Sequence, residues 1–117
     1  MHNLKELKVW HRAVELSTDV YKVTSEFPRE EKYGLTSQIR RSAVSIPSNI
    51  AEGAGRNTKK EFIHFLGIAS GSSFELQTQL IVSRKLDLVD ARVDVLLDEI
   101  DQIQKMIYGL QSMLGKD

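Results

Sequence analysis

The sequence predicts an all-α fold: an antiparallel up-down-up-down bundle of four helices in a single domain covering residues 1–117. Three observations support this prediction. Apolar residues recur at spacings of three and four in four separate segments, which is typical of amphipathic helices. No segment shows the apolar–polar alternation of a half-buried strand. The connections are short, which favours antiparallel neighbours.

The first helix is predicted from about residue 8 to residue 25. Its single apolar stripe is formed by Trp10, Ala13, Val14, Ser17, Val20, Tyr21 and Thr24. The helix ends at Phe27-Pro28, because the residue before a proline is pushed out of helical geometry. A charged connection over residues 29–34 follows, with a helical turn begun by Pro28 as one option.

The second helix carries a proline inside its apolar pattern. One face is lined by Leu35, Ile39, Ala43, Ile46 and Ile50. Pro47 has no N–H for the Ala43 carbonyl, so the sequence predicts a kink there, with a nearby Ser or Asn side chain bonding the freed carbonyl. Gly53 or Gly55 is the expected C-cap.

The third helix begins with a capping box at Thr58 and Glu61, in which each residue's side chain bonds the other's backbone N–H. It should run to about Leu86. Its main stripe is Phe62, Phe65, Leu66, Ala69, Ser73, Leu76 and Leu80, and a second stripe about 100° away is Ile63, Gly67, Ser70, Phe74, Gln77 and Ile81. One bundle seam needs only one stripe. We therefore predict that Ile63, Phe74 and Ile81 contact another copy of the chain.

The fourth helix is predicted from about residue 91 to residue 114, after a connection over residues 87–90. It shows the most regular heptad-like pattern in the chain, formed by Leu96, Ile100, Ile103, Ile107, Leu110 and Leu114. No internal repeat and no linker divides the sequence, so one domain accounts for the whole chain.

Composition narrows the functional classes. The chain has no cysteine, which excludes disulfides and thiolate chemistry and suits the reducing cytoplasm, the expected location. The N-terminus is charged and no apolar run approaches the ~20 residues of a membrane helix, so neither a signal peptide nor a membrane partner is expected. Net charge is zero, yet residues 1–60 carry +4 and residues 61–117 carry −4. This division indicates either solvated faces paired within the bundle or a basic surface facing an acidic neighbour or a polyanion.

Three candidate catalytic patterns fail on inspection. Glu61 and His64 have the spacing of a metal-ligand pair, but a di-iron bundle needs a second such pair and further glutamates. The glycine-rich turn over residues 53–56 lacks both the preceding strand and the Gly-Lys-Ser/Thr of a phosphate loop. The serines of the second and third helices have no His-Asp partner to activate them. The sequence therefore predicts no enzyme, no metal and no cofactor.

The most informative charges are Arg40, Arg41, Arg56, Lys59 and Lys60. Arginine suits phosphate because its planar fork donates two hydrogen bonds, and free amides at the start of the third helix also favour anions. These five residues form the predicted RNA- or DNA-binding surface. The alternative interpretation assigns them to salt bridges within or between subunits. No aromatic residue is interleaved with them, so a platform for stacking bases is not predicted.

A family resemblance rests on a series of motifs between Leu4 and Leu86. They are LKVW at residues 7–10, YGLTSQIRR at residues 33–41, SIPSNIAEG at residues 45–53, and the paired motifs Glu61-Phe62 and Phe65-Leu66, followed by ASGS at residues 69–72. This series resembles the bacterial four-helix-bundle proteins encoded in intervening sequences of 23S ribosomal RNA genes, also labelled S23 ribosomal proteins. The fourth helix matches by pattern only.

The resemblance implies a cytoplasmic bundle that assembles as a ring-shaped homopentamer and is not an enzyme. It also implies kinship with the accessory variability determinant proteins of diversity-generating retroelements, pentamers that bind nucleic acid and a reverse transcriptase through a basic surface. Two functional interpretations follow. The first is a non-catalytic oligomeric scaffold that binds RNA or DNA weakly and without sequence preference. The second is a purely structural or protein-binding ring.

Overall fold

The computed structural model describes residues 2–116 and contains four α-helices in that range: α1 (Lys8–Thr24), α2 (Leu35–Ala54), α3 (Lys59–Lys85) and α4 (Val93–Leu114). Short 3-10 helices occupy Leu4–Glu6 and Arg29–Glu31, the second of them after Pro28. The described residues contain no strand, so the predicted all-α, four-helix architecture is confirmed. No helix among them is both long and apolar enough to cross a membrane.

The predicted stripes form one shared core. Each helix packs against two others, with α2 between α1 and α3, and α4 between α3 and α1. The largest side chains buried almost completely are Leu16, Val20, Ile39, Ile46, Ile50, Phe62, Leu66, Leu76, Leu80, Ile100, Ile103 and Ile107. Two members of the α1 stripe, Val14 and Tyr21, remain exposed. The apolar stripe of α1 is therefore wider than the surface that the bundle covers.

Pro47 lies within α2, which remains helical from Leu35 to Ala54. The Ser17 hydroxyl, from α1, lies 2.9 Å from the Ala43 carbonyl oxygen and also 2.9 Å from the Ala13 carbonyl oxygen of its own helix, so its one proton is shared between them. The Ala43 carbonyl is the one that Pro47 leaves without its usual partner, so the predicted side-chain replacement is present and comes from the neighbouring helix. A bend at Pro47 and the antiparallel order of the helices stay predictions.

The hydrogen bond from Ser17 should contribute measurably to stability. Ser17→Ala is expected to lower the free energy of unfolding by about 1–3 kcal/mol, because the buried Ala43 carbonyl loses its donor. In a Pro47→Ala background the backbone N–H of residue 47 can bond that carbonyl, so the same substitution should cost less. Urea unfolding of the four proteins at one concentration measures both costs. Equal costs in the two backgrounds would contradict this account.

The connections confirm most of the predicted caps. Gly55, not Gly53, is the C-cap of α2. The Thr58 hydroxyl accepts from the Glu61 N–H at 3.1 Å, as predicted, while the Glu61 carboxylate accepts from the Thr58 hydroxyl where the Thr58 backbone N–H was expected. At the other end of the bundle, the hydrogen bond from Arg92 lowers the pKa of Asp90 below its usual range.

Candidate nucleic-acid interface

One end of the bundle is assembled from three separate parts of the chain. The N-terminal segment packs back onto the α2–α3 turn: the His2 N–H donates to the Ala54 carbonyl at 2.9 Å, and the His2 and Phe62 rings lie 4.8 Å apart. The end of α4 joins the start of α3 through Gln111, whose side-chain amide donates to the Ile63 carbonyl at 3.2 Å. Residues 2–11, 52–64 and 111–116 are called the basic end below.

The basic end carries a net positive charge, although the net charge of the whole chain is zero. Its cationic residues are Lys5, Lys8, Arg56, Lys59, Lys60 and Lys116, and its acidic residues are Glu6, Glu52 and Glu61, which gives it a formal charge of +3. The three histidines of the chain, His2, His11 and His64, also lie there. The sequence prediction missed Lys5, Lys8 and Lys116, because only the fold brings residues 2–11 and 111–116 to the α2–α3 turn.

Lys59 and Lys60 are the most accessible members of the predicted set. Both are exposed in the first turn of α3, directly after the Thr58 cap. Among residues 2–116, neither forms an ion pair. The first turn of a helix also carries backbone N–H groups without intrahelical partners. The two ammonium groups are therefore free to contact an anion beside a helix end that favours negative charge.

Arg56 is largely occupied by contacts within its own chain. Its guanidinium lies 3.9 Å from the Glu52 carboxylate and 3.6 Å from the Glu61 carboxylate. The same group stacks over the Phe65 ring, 4.7 Å from the centroid. These contacts are partly exposed and individually weak, but together they neutralise Arg56 and hold it in place. Arg56 thus stabilises the α2–α3 turn, which is followed directly by the two lysines.

Arg40 and Arg41 lie elsewhere. Arg40 donates to the Thr24 hydroxyl at 2.9 Å and to the Tyr21 carbonyl at 3.2 Å, and its guanidinium stacks over the Tyr21 ring. Arg41 is exposed on α2. At 1.5 Å per residue it is about 20 Å along the helix from Ala54. The structure therefore divides the predicted surface into the basic end and two arginines in the first half of α2.

The predicted interface residues on α3 also differ in exposure. Ile63 is half-buried and packs against the core of its own bundle. Phe74 and Ile81 expose 56% and 40% of their surface. Phe74 and Ile81 are thus available to a neighbouring molecule, whereas most of the Ile63 surface already has a partner.

The residues of the rejected catalytic patterns make structural contacts. Glu61 is bonded to Thr58 and paired with Arg56, and the His64 ring rests against the Phe65 ring at 5.4 Å. Among residues 2–116, no group of three or more His, Cys, Asp or Glu side chains is placed to hold a metal ion. Ser45 and Ser72 bond each other across α2 and α3 at 2.8 Å, a contact that joins helices.

Comparison with sequence models of known protein families shows which family the chain belongs to. The model of the 23S rRNA-intervening sequence protein matches residues 5–109. The chain belongs to this family. A crystal structure of a protein with unknown function from the S23 ribosomal protein family, from Bacteroides thetaiotaomicron, is similar with a TM-score of 0.79. The two chains are 22% identical, over 89% of this chain and 95% of the other. No protein of curated function matches this chain significantly.

Proposed function

We propose that this family member is a non-catalytic homo-oligomeric scaffold of the cytoplasm that binds RNA or DNA through phosphate contacts at its basic end. The observation that carries the proposal is the concentration of charge: the basic end holds +3, and all other residues of the chain, Asp117 included, sum to −3. Basic surfaces of this kind attract nucleic acid without reading its sequence.

The residues at the basic end suit the phosphate backbone better than the bases. Lys59 and Lys60 are flexible point charges that need no fixed geometry to contact a phosphate. The neighbouring aromatic rings are engaged elsewhere, because Phe62 is buried and Phe65 is covered by Arg56. Trp10, the other large ring of the basic end, is half-buried against the core. Because these three rings are occupied, binding should depend little on sequence or on strandedness.

Assembly would combine the modest charges of several basic ends into one surface for binding nucleic acid. The family resemblance favours a homopentamer, and cyclic symmetry places equivalent residues at one height around the ring axis. Each basic end would then lie on a common rim. Simultaneous contacts with one nucleic-acid strand raise the overall affinity well above that of a single protomer.

The proposal is tested by binding at low salt. Fluorescence anisotropy should show that the protein binds two unrelated RNA sequences and the corresponding DNA duplexes with affinities within a few-fold of each other. Light scattering of the same sample should give a mass several times that of one chain. Absence of binding to every probe, by a sample that light scattering shows to be assembled, would refute the nucleic-acid function.

A purely structural or protein-binding ring is the second candidate. It is favoured by one observation: Arg40 and Arg56, two of the five predicted phosphate ligands, are already bonded within the protomer. The experiment above separates the candidates, because this second one predicts assembly without binding to RNA or DNA.

A further inference from the structure

An apolar groove runs along the outer seam between α1 and α2. It is lined by Val14, Ser17, Thr18, Tyr21, Val44 and Pro47 and has a volume of about 390 Å³. Val14, Tyr21 and Val44 are exposed although they are large and apolar. Val14 and Tyr21 belong to the part of the α1 stripe that the bundle does not cover, and Val44 of α2 lies beside them. The protomer therefore leaves this surface without a partner.

A matching ridge stands on α3. It consists of Phe74 and Ile81, preceded by Gly67 and Gly71, all of them exposed. The ridge lies on the α4 side of α3, because Gln77 between the two apolar residues bonds Gln104 of α4 at 3.1 Å. Since α1 and α2 form one side of the bundle and α3 and α4 the other, groove and ridge face opposite directions.

Packing within the protomer does not require glycine at either position. A methyl group added at Gly71 would meet nothing within 4 Å, and one added at Gly67 would make only ordinary contact with Gln111. A glycine inside a helix costs about 1 kcal/mol relative to alanine. The close approach of another molecule would explain why the smallest residue is used at both positions.

The charges beside the two surfaces are complementary. Arg40 lies at the groove, with its guanidinium 4.5 Å from the centre of the Tyr21 ring. The exposed charged residues of α4 are Asp94, Asp98, Asp101 and Lys105. Asp101 adjoins the ridge, since it accepts from Gln77 at 3.4 Å, whereas Asp98 and Lys105 line the groove between α4 and α1. A groove with a cation at its edge and a ridge beside a mainly acidic helix therefore fit each other in charge as well as in polarity.

We infer that the α1–α2 groove receives Phe74 and Ile81 of a second copy of this chain. Two different surfaces on opposite sides of one protomer make a head-to-tail contact, and such contacts close into a ring when the rotation between copies permits. The inference rests on the proposed homo-oligomer and adds its interface, which pairs the negative half of one chain with the positive half of the next.

Three substitutions test this interface by light scattering. Val44→Asp disables the groove, Phe74→Asp disables the ridge, and Gly71→Leu adds bulk beside the ridge where the protomer has open space. Each variant should remain helical by circular dichroism but fall to the mass of a monomer. Val95→Asp, at an exposed apolar position of α4 outside both surfaces, should assemble like the parent.

Mixing the first two variants gives the sharpest result. Phe74→Asp keeps an intact groove and Val44→Asp keeps an intact ridge, so an equal mixture should form a heterodimer and nothing larger. Variants that stay assembled, or a mixture that stays monomeric although each variant is folded, would overturn the groove-and-ridge contact. A parent protein that is itself monomeric would instead refute the homo-oligomer on which the inference rests.

Discussion

Reversing the charge of both Lys59 and Lys60 should weaken RNA and DNA binding roughly 100-fold at low salt, about 2.7 kcal/mol. The double substitution Lys59→Glu, Lys60→Glu turns the exposed first turn of α3 from cationic to anionic. Repulsion of phosphate replaces attraction, and in an oligomer the change is repeated in every subunit. Fluorescence anisotropy with a labelled RNA measures the loss, and light scattering checks that the assembly is intact.

The opposite end of the same helix supplies a matched control. Arg84→Glu with Lys85→Glu changes the same number of charges, also at exposed positions, but in the last turn of α3. Affinity should fall far less in this variant, because the substituted residues lie away from the basic end. Equal losses in the two variants would show that net charge alone governs binding and that the basic end has no special part in it.

Gly53→Ala should destabilise the protein by about 2 kcal/mol. An added methyl group would lie 2.8 Å from the Phe62 ring and 2.8 Å from the Phe65 Cβ. Phe62 is fully buried, and the Phe65 Cβ is fixed to the backbone of α3, so neither atom can move away at low cost. The better helix propensity of alanine offsets only part of this overpacking. Chemical denaturation at a fixed protein concentration measures the change.

Gly55 serves as the control for that substitution. It caps α2 with a negative φ of −83°, and an added methyl group would make only ordinary contacts of 3.6 Å or more. Gly55→Ala should therefore change the free energy of unfolding by less than about 1 kcal/mol. If Gly53→Ala were as stable as the parent, the close approach of α2 and α3 at this glycine would be contradicted.

Local signals explain why the helices could be predicted within about two residues of their observed ends. Pro28, Gly55 and Thr58 each fix a boundary through their own backbone or side-chain chemistry, and the apolar periods of the helices define the core. The same local reasoning predicted that a nearby Ser or Asn side chain would bond the Ala43 carbonyl. Which side chain does so depends on packing, because Ser17 is 26 residues away in sequence.

The candidate interface was less predictable because it is a property of the tertiary structure. Lys5 and Lys116 join the α2–α3 turn only through contacts of His2 and Gln111 that no sequence spacing encodes. Arg56 carries a local signal, since Glu52 precedes it by four residues, with Arg56 itself just beyond the end of α2. The close approach at Gly53 has no such signal, because either glycine of the turn could serve as the cap.

The salt dependence of RNA binding by the assembled parent protein tests the central claim most directly. Phosphate contacts release counterions, so the logarithm of the association constant should fall linearly with the logarithm of salt concentration, with a slope of about −0.7 per neutralised phosphate for a single strand. We predict a slope of roughly −3 or steeper, becoming shallower in the Lys59/Lys60 double variant. A slope near zero, or one unchanged in that variant, would contradict phosphate binding at the basic end.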